Sequence, residues 1–157
     1  MEGTLTILVG TMTGTAELVA DEVKEAASAE GIDAEVLAMD KLAPVVFGRE
    51  GLFLLCTSTY GQGDVPDNAR DLFAALEAQR PDLSAVRYGL IALGDRTYAQ
   101  TYCFGGKRFD ELLTGLGAER IGEPLFHDAS AGTIPEEVAV DWVRDWIAQL
   151  RLKQKAA

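Results

Sequence analysis

The chain has 157 residues, of which 48% are hydrophobic and 25% charged, and this favours one globular domain with a single sizeable core. Acidic residues outnumber basic residues by 25 to 14, and the formal charge of −11 disfavours a nucleic-acid partner, which needs a basic surface. We find no signal-like segment and no apolar run near the roughly 20 residues of a membrane-spanning helix, so we expect a cytoplasmic protein without a membrane partner.

Apolar runs predict five strands that alternate with helices along the whole chain. The strands lie at residues 5–9, 34–38, 51–56 and 88–93, and a fifth lies within 118–127. Gly122 and Pro124 interrupt the last of these. The third and fourth runs are almost wholly apolar, which is typical of strands buried on both faces of a parallel sheet.

Apolar residues at helical spacing predict a helix after each of the first, third, fourth and fifth strands. Gly31 and Gly117 lie where the first and third of these helices should end. Asp67 can cap the second helix, and Thr133 with Glu136 forms a capping box before the last.

This alternation indicates an α/β domain over residues 1–150, with a parallel sheet covered by helices on both faces. Residues 151–157 form a short basic tail that we expect to fray. In such sheets, ligands bind beyond the carboxyl ends of the strands at the topological switch point. The loops after strands one, three and four should therefore meet.

The loop after the first strand has the composition of a phosphate-binding turn. It reads Thr11-Met12-Thr13-Gly14-Thr15 and leads into the first helix. It lacks the lysine of a nucleoside-triphosphate P-loop and the G-x-G-x-x-G pattern of a dinucleotide fold, so triphosphate hydrolysis is disfavoured. A phosphate here would be bound by backbone N–H groups, hydroxyls and the positive helix end. A plain strand–helix connection can have the same composition, so the turn alone leaves both interpretations open.

Two further loops each carry a tyrosine shortly after a buried strand. The loop at residues 57–68 contains Tyr60, and the loop at residues 94–106 contains Tyr98. Long loops with such residues are often functional. Each tyrosine alone could simply cover its loop. Together, at one sheet edge above a phosphate turn, they favour an aromatic sandwich around a flat ring.

The cysteines, the histidine and the tryptophans have mainly structural interpretations. Cys56 lies inside an apolar run and should be buried, and Cys103 should pack rather than react. The two cysteines lack the paired spacing of a metal site or a redox Cys-x-x-Cys motif. His127 ends the fifth strand, where we expect a solvated loop histidine. Trp142 and Trp146 should pack in the core through the apolar face of the last helix.

Three motifs in order carry a family resemblance. The stretches T-M-T-G-T-A-E, S-T-Y-G-Q-G-D-V-P-D-N-A and L-G-D-R-T-Y resemble those of flavodoxins. They are most similar to short free-standing flavodoxins of the MioC type and to the FMN domains of diflavin reductases. The resemblance covers nearly the whole chain. It implies a three-layer, doubly wound flavodoxin-like fold with a five-stranded parallel sheet in the order 2-1-3-4-5.

The resemblance also implies flavin mononucleotide (FMN) as the cofactor. Its phosphate should meet the turn at residues 11–16, and its ring should lie between Tyr60 and Tyr98. Backbone near Asp95, Tyr102 and Cys103 should meet the polar edge of the ring. The candidate cofactor-binding residues, all on these loops or strand ends, are Thr11, Met12, Thr13, Gly14, Thr15, Ala16, Thr57, Ser58, Thr59, Tyr60, Gly61, Gly63, Leu93, Gly94, Asp95, Tyr98, Tyr102 and Cys103. The resemblance implies neither a catalytic residue nor a metal ligand.

By this resemblance the chain is a monomeric one-electron carrier rather than an enzyme. It would accept electrons from a flavodoxin/ferredoxin-NADP reductase-type donor and pass them to a metalloenzyme or radical enzyme. A stabilised neutral semiquinone would form, with a flip of the peptide after Tyr60 made easy by Gly61. His127 could modulate the potential with pH. The acids expected near the rim, which should attract basic partners, are Asp64, Asp67, Asp95 and Asp128.

Three alternatives use the same scaffold. An FMN-dependent NAD(P)H oxidoreductase of the quinone reductase type would need a nicotinamide site, and the chain has no evident motif for one. A flavin-free interaction module would be colourless and could not be reconstituted with FMN. A phosphoacceptor receiver domain needs clustered acids after the first strand, where residues 11–15 stand instead.

Overall fold

The computed structural model describes residues 3–11, 14–59, 65–95 and 102–156. The strands are β1 (Thr4–Gly10), β2 (Asp33–Ala38), β3 (Leu52–Thr57), β4 (Arg87–Gly94), β5 (Glu119–Arg120) and β6 (Leu125–Asp128). The α-helices are α1 (Thr15–Ala29), α2 (Arg70–Gln79), α3 (Phe104–Gly115) and α4 (Pro135–Ala156). Among the described residues, no helix combines the length and the apolar character needed to span a membrane.

The strands form one parallel sheet in the order β2-β1-β3-β4-β5, and β6 also pairs with β4. The predicted order is thus confirmed. The predicted fifth strand is present as two short strands on the same side of β4. Gly122 lies between them with φ 71°, a left-handed conformation that ends the first strand and that glycine adopts without strain.

Helices cover both faces of the sheet. The side chains of α1 and α4 pack with one face of the sheet around residues such as Val19, Val143 and Trp146. Those of α2 and α3 pack with the other face around Leu72 and Phe109. Every residue of β3 is buried, because this central strand has a helical layer on each side. The three-layer prediction is confirmed.

The expected core roles of the cysteines and tryptophans are also confirmed. Cys56 and Cys103 are fully buried, and burial raises the pKa of the Cys56 thiol to about 12, so this thiol stays neutral. The rings of Trp142 and Trp146 stack with centroids 5.6 Å apart. Trp146 donates its indole N–H to the carbonyl of Ile121 at 2.9 Å, which ties α4 to the end of β5.

The structure corrects two local predictions about helix starts. Asp67 opens a short 3-10 turn, Asp67–Ala69, and α2 begins only at Arg70. The last helix begins at Pro135, one residue later than a Thr133 cap requires. It continues to Ala156, and the expectation that the basic tail frays stays a prediction. The side chain of Arg151 forms an ion pair with Glu30 near the end of α1.

Candidate functional site

The carboxyl ends of β1, β3 and β4 lie side by side, so the segments that follow them meet as expected. Gly10 at the end of β1 is in register with Thr57, and Thr57 is in register with Ala92 on β4. Beyond the strands, the N–H of Ser58 donates to the carbonyl of Gly10 at 2.9 Å. This edge is the topological switch point, since α1 and α2 leave it toward opposite faces of the sheet.

The described part of the turn after β1 has the geometry of an anion site. Gly14 precedes α1 with φ 93°, and a Cβ added there would meet no atom within 4 Å, so the space beside it is open. The first helical bond of α1 joins the N–H of Leu18 to the carbonyl of Gly14. The N–H groups of residues 15–17 therefore precede the helical ladder and stand at the positive end of the helix.

The side chains of this turn carry no positive charge. Thr11 is 8% exposed, and its hydroxyl oxygen accepts the N–H of Gly14 at 3.0 Å. Thr15 is exposed at the helix start, whereas the side chain of Ala16 is fully buried and leaves only its backbone for a ligand. Such a turn suits a phosphate monoester that is held and not cleaved.

Sequence reasoning missed Asn68 as a residue of this site. Its side-chain oxygen accepts the N–H of Thr11 at 2.7 Å, and its side-chain nitrogen donates to the carbonyl of Val9 at 3.4 Å. Thr11 and Val9 precede Asn68 by 57 and 59 positions in the sequence, so no local pattern reveals these contacts. The only signal in the sequence was its position at the end of the loop that carries Tyr60.

Thr59 connects the other two loops. Its hydroxyl donates to the carbonyl of Leu93 at 3.1 Å and accepts the N–H of Gly105 at 3.0 Å. Leu93 lies just before the loop that contains Tyr98, and Gly105 lies just after it. One hydroxyl thus joins the loop after β3 to both ends of the loop after β4.

Two adjacent glycines let α3 approach these loops closely. A Cβ on Gly105 would lie 2.2 Å from the carbonyl oxygen of Ser58, and one on Gly106 would lie 2.4 Å from the Cβ of Ala92. Thr57 is fully buried beside Gly106, and its hydroxyl donates to the Ser58 carbonyl at 3.1 Å. Its side chain is therefore committed to the protein interior.

Leu93, Gly94 and Asp95 lie at the end of β4, beside Cys103. Leu93 is buried, and Gly94 and Asp95 are half-buried. A Cβ on Gly94 would lie 2.6 Å from the backbone nitrogen of Cys103, so this glycine permits a close approach of the two segments. Cys103 itself has a φ of 57° and a buried thiol 3.4 Å from the carbonyl of Ala92. The expected packing role of this cysteine is confirmed.

Tyr102 is half-buried at the same edge and donates its hydroxyl to the carbonyl of Phe126 at 3.1 Å. The ammonium group of Lys107 lies 5.7 Å from the ring centroid of Tyr102, 5.1 Å from that of Phe104 and 5.2 Å from that of Phe126. These contacts are within the range of cation–π attraction. They hold the first turn of α3 against β6.

The prediction of a solvated loop histidine at residue 127 is wrong. His127 is 5% exposed because β6 extends to Asp128, which places it in a strand paired with Leu93. Its Nε2 lies 2.9 Å from the hydroxyl oxygen of Thr133.

Several candidate residues lie outside the described part of the chain. They are Met12, Thr13, Tyr60, Gly61, Gly63 and Tyr98, together with the rim residue Asp64. Their expected roles stay predictions. Within the described ranges, no group of three or more His, Cys, Asp or Glu side chains is placed to hold a metal ion.

Comparisons with known proteins agree with the loop motifs. A family model described as flavodoxin matches residues 7–142. Flavodoxin YqcA of Escherichia coli (strain K12) is 41% identical over 140 residues, which cover 89% of this chain and 93% of that protein. Protein MioC of Escherichia coli O157:H7 is 36% identical over 147 residues, which cover 94% of this chain and 98% of that protein.

One relative is much longer than this chain. The sulfite reductase (NADPH) flavoprotein alpha-component of Vibrio parahaemolyticus is 38% identical over 134 residues, which cover 82% of this chain and 21% of that protein. Among solved structures, a cysteine-to-serine mutant of flavodoxin from Pseudomonas aeruginosa matches with a TM-score of 0.84 and 34% identity. The match covers 94% of this chain and 99% of that one.

Proposed function

Because the chain belongs to the flavodoxin family, we propose that it carries single electrons from an NADPH-dependent flavoprotein reductase to a metalloenzyme or radical enzyme. Flavodoxins are FMN-dependent electron-transfer proteins, and FMN is the cofactor of this chain. The identity of both partners, a cytoplasmic location and a monomeric state belong to the proposal.

The uncharged turn at the start of α1 is the observation that carries this proposal. Gly14, the hydroxyl of Thr11 and the first-turn N–H groups of α1 offer a neutral site with open space beside it. These groups fit a phosphate monoester. They would not assist triphosphate cleavage, which uses a lysine and a bound magnesium ion.

The chain's own residues would bind and orient FMN, and the bound flavin supplies the redox chemistry. The turn would hold the phosphate through backbone groups. Thr59 joins the described ends of the two segments on which Tyr60 and Tyr98 are predicted to hold the ring. The buried end of β4 at Leu93 would exclude water from that side. Stabilisation of the one-electron-reduced flavin by the peptide at Gly61 remains part of the proposal.

Stepwise anaerobic reduction of the purified protein, followed by its visible absorption spectrum, tests this function. We expect a yellow protein that takes up FMN in a one-to-one ratio. A long-wavelength band should rise to mid-titration and then fall, as two separate one-electron steps require. A protein that cannot be loaded with FMN would contradict the proposal, and direct oxidation of NADPH by the pure protein would favour a reductase instead.

The proposed donor can be tested through ionic strength. Asp95 directly follows β4, Asp128 is the last residue of β6, and Asp67 opens the 3-10 turn before α2, on a chain of net charge −11. Acids at this edge should attract a basic surface on the donor. We expect the rate of reduction by a flavodoxin/ferredoxin-NADP reductase to fall severalfold between about 0.02 M and about 0.5 M salt, as screening shortens the reach of these charges.

A small uncharged photoreductant is the control for that experiment, because its encounter rate should not depend on salt. Stopped-flow absorbance measures both reactions. If salt left the enzymatic rate unchanged, or slowed both reactions equally, docking through these acids would be contradicted.

Thr59→Val should weaken binding of both FMN and riboflavin about tenfold. The substitution keeps the shape of the side chain but removes the hydroxyl, which leaves the Leu93 carbonyl and the Gly105 N–H without this partner. A lost acceptor or donor at a part-buried position costs about 1–3 kcal/mol of stability. We expect about 1.4 kcal/mol of this cost to fall only on the flavin-bound state, in which the loops must meet around the ligand, and this corresponds to a factor of ten in affinity.

Thr59→Ser is the matched control, since it retains the hydroxyl, and it should bind both flavins within about threefold of the wild type. Quenching of flavin fluorescence measures the dissociation constants. Equal affinities for the valine and serine variants would contradict a role of the Thr59 hydroxyl in flavin binding.

A further inference from the structure

Asn68 lies in the 3-10 turn before α2, yet its side chain contacts the backbone of another segment on both sides of Gly10. The side-chain oxygen accepts the N–H of Thr11 at 2.7 Å, and the side-chain nitrogen donates to the carbonyl of Val9 at 3.4 Å. An amide group can do both at once, because it has a donor end and an acceptor end. Asn68 thus binds the chain where β1 becomes the phosphate turn.

This contact holds the first residue of the turn and, through it, Gly14. The N–H of Thr11 is used by Asn68, and the hydroxyl of Thr11 in turn accepts the N–H of Gly14. These two hydrogen bonds connect the 3-10 turn before α2, at Asn68, through Thr11 to Gly14 at the start of α1. With Thr11 held in place, the first-turn N–H groups of α1 keep a fixed direction toward the open space beside Gly14.

The charge of the side chain at this position matters as well as its shape. An aspartate is nearly the same size and could accept the Thr11 N–H, but it could not donate to Val9. The aspartate would also place a full negative charge beside the turn, whose described residues Thr11, Gly14 and Thr15 are all uncharged. Charges that are partly removed from water repel strongly at short range.

We propose that Asn68 is a positioning residue that keeps the described ends of the phosphate turn, at Thr11 and Gly14, both ordered and neutral, and so sets the affinity of the protein for the phosphate end of FMN. This inference rests on the proposed function, since it assumes that FMN binds at this edge. It predicts that Asn68 affects the binding of the phosphate group and leaves the binding of the flavin ring nearly unchanged.

The test compares FMN with riboflavin, which has the same ring and no phosphate. Asn68→Asp should raise the dissociation constant of FMN at least tenfold at low salt and that of riboflavin less than threefold. The preference for FMN over riboflavin should therefore fall. Added salt should restore part of the loss for FMN, because it screens the new charge.

Gln79→Glu is the matched control, because it makes the same amide-to-acid change at the exposed far end of α2. That end lies about 15 Å along α2 from Asn68, at a rise of about 1.5 Å per helical residue. This variant should bind both flavins like the wild type. Equal weakening of FMN and riboflavin by Asn68→Asp would overturn the proposal, since a purely structural role predicts that result.

A ligand-free measurement addresses the ordering role separately. Asn68→Ala should speed hydrogen exchange at the Thr11 amide, measured by NMR in protein without flavin, whereas Asn68→Asp should keep this amide protected. Unchanged exchange in the alanine variant would also overturn the proposal. If the wild type bound neither flavin, the proposed function would fail and the role of Asn68 toward FMN with it. If the wild type bound both flavins but Asn68→Asp did not lower the preference for FMN over riboflavin, only the role proposed for Asn68 would be contradicted.

Discussion

Gly105→Ala should destabilise the protein by about 2 kcal/mol or more, although alanine is the better helix former. A Cβ at this position would lie 2.2 Å from the carbonyl oxygen of Ser58 and 3.1 Å from the Cα of Thr59. Both contacts are with backbone atoms, so α3 or the loop after β3 must move to relieve them. Overpacking of this kind costs about 1–3 kcal/mol or more. The better helix propensity of alanine returns at most about 1 kcal/mol.

Gly115→Ala is the control for this prediction, because Gly115 is in the same helix and a Cβ there would meet no atom within 4 Å. This variant should be more stable than the wild type by about 0.5–1 kcal/mol. Urea unfolding curves measure both changes. The prediction fails if the two alanine variants change stability in the same direction. Relief of the clash should also move the Gly105 N–H away from the Thr59 hydroxyl, so the alanine variant should lose flavin affinity as well.

Asp110→Ala should destabilise the protein by about 2–3 kcal/mol. Asp110 accepts hydrogen bonds from the hydroxyl of Tyr88 and from the guanidinium of Arg120, each at 2.5 Å. Tyr88 is fully buried, and burial, followed by the bond to Asp110, raises the pKa of its hydroxyl above the ordinary range. This hydroxyl is therefore a neutral donor that needs an acceptor, and stranding such a group costs about 1–3 kcal/mol.

The loss of charge at Asp110 adds a second cost. Arg120 would keep its guanidinium without this counter-charge, and its Nε is already buried with no hydrogen-bond partner among the described residues. Removing one member of a buried ion pair costs about 3–5 kcal/mol. The cost is lower here, because the side chains of Arg120 and Asp110 are 31% and 23% exposed.

Two further variants separate these contributions. Tyr88→Phe keeps the ion pair and removes one hydrogen bond, so it should cost about 1 kcal/mol. Glu111→Ala, an exposed change next to Asp110 on α3, should stay within about 0.5 kcal/mol of the wild type. Thermal and urea unfolding give the values. A loss at Asp110 no larger than that at Glu111 would contradict a stabilising role for this network.

The sequence was most informative where local patterns decide the structure. Apolar runs located the strands, because a strand buried on both faces must be apolar at nearly every position, as β3 is. Gly31 and Gly117 marked helix ends, since both adopt the positive φ that glycine favours. The sheet order required the family resemblance, because the periodicity of a strand does not name its neighbours.

The contacts that shape the site were beyond local reasoning. Thr59 reaches residues 34 and 46 positions away, and Asn68 reaches Thr11 across 57 positions. A threonine or asparagine in a loop looks the same whether its side chain meets solvent, ligand or distant backbone. His127 was misjudged for a related reason, since the pairing of β6 with β4 buries a residue that its own neighbours in sequence leave exposed.

The absence of positive side chains from the described part of the phosphate turn has a consequence for handling the protein. A dianionic group bound there is attracted only by neutral dipoles, while the rest of the chain, at −11, repels it over a longer distance. Dissolved ions weaken the repulsion more than the short-range attraction. Dilution into pure water should therefore release the bound FMN most readily, and a saline buffer should help the protein to retain it, even as salt slows electron exchange with a charged donor.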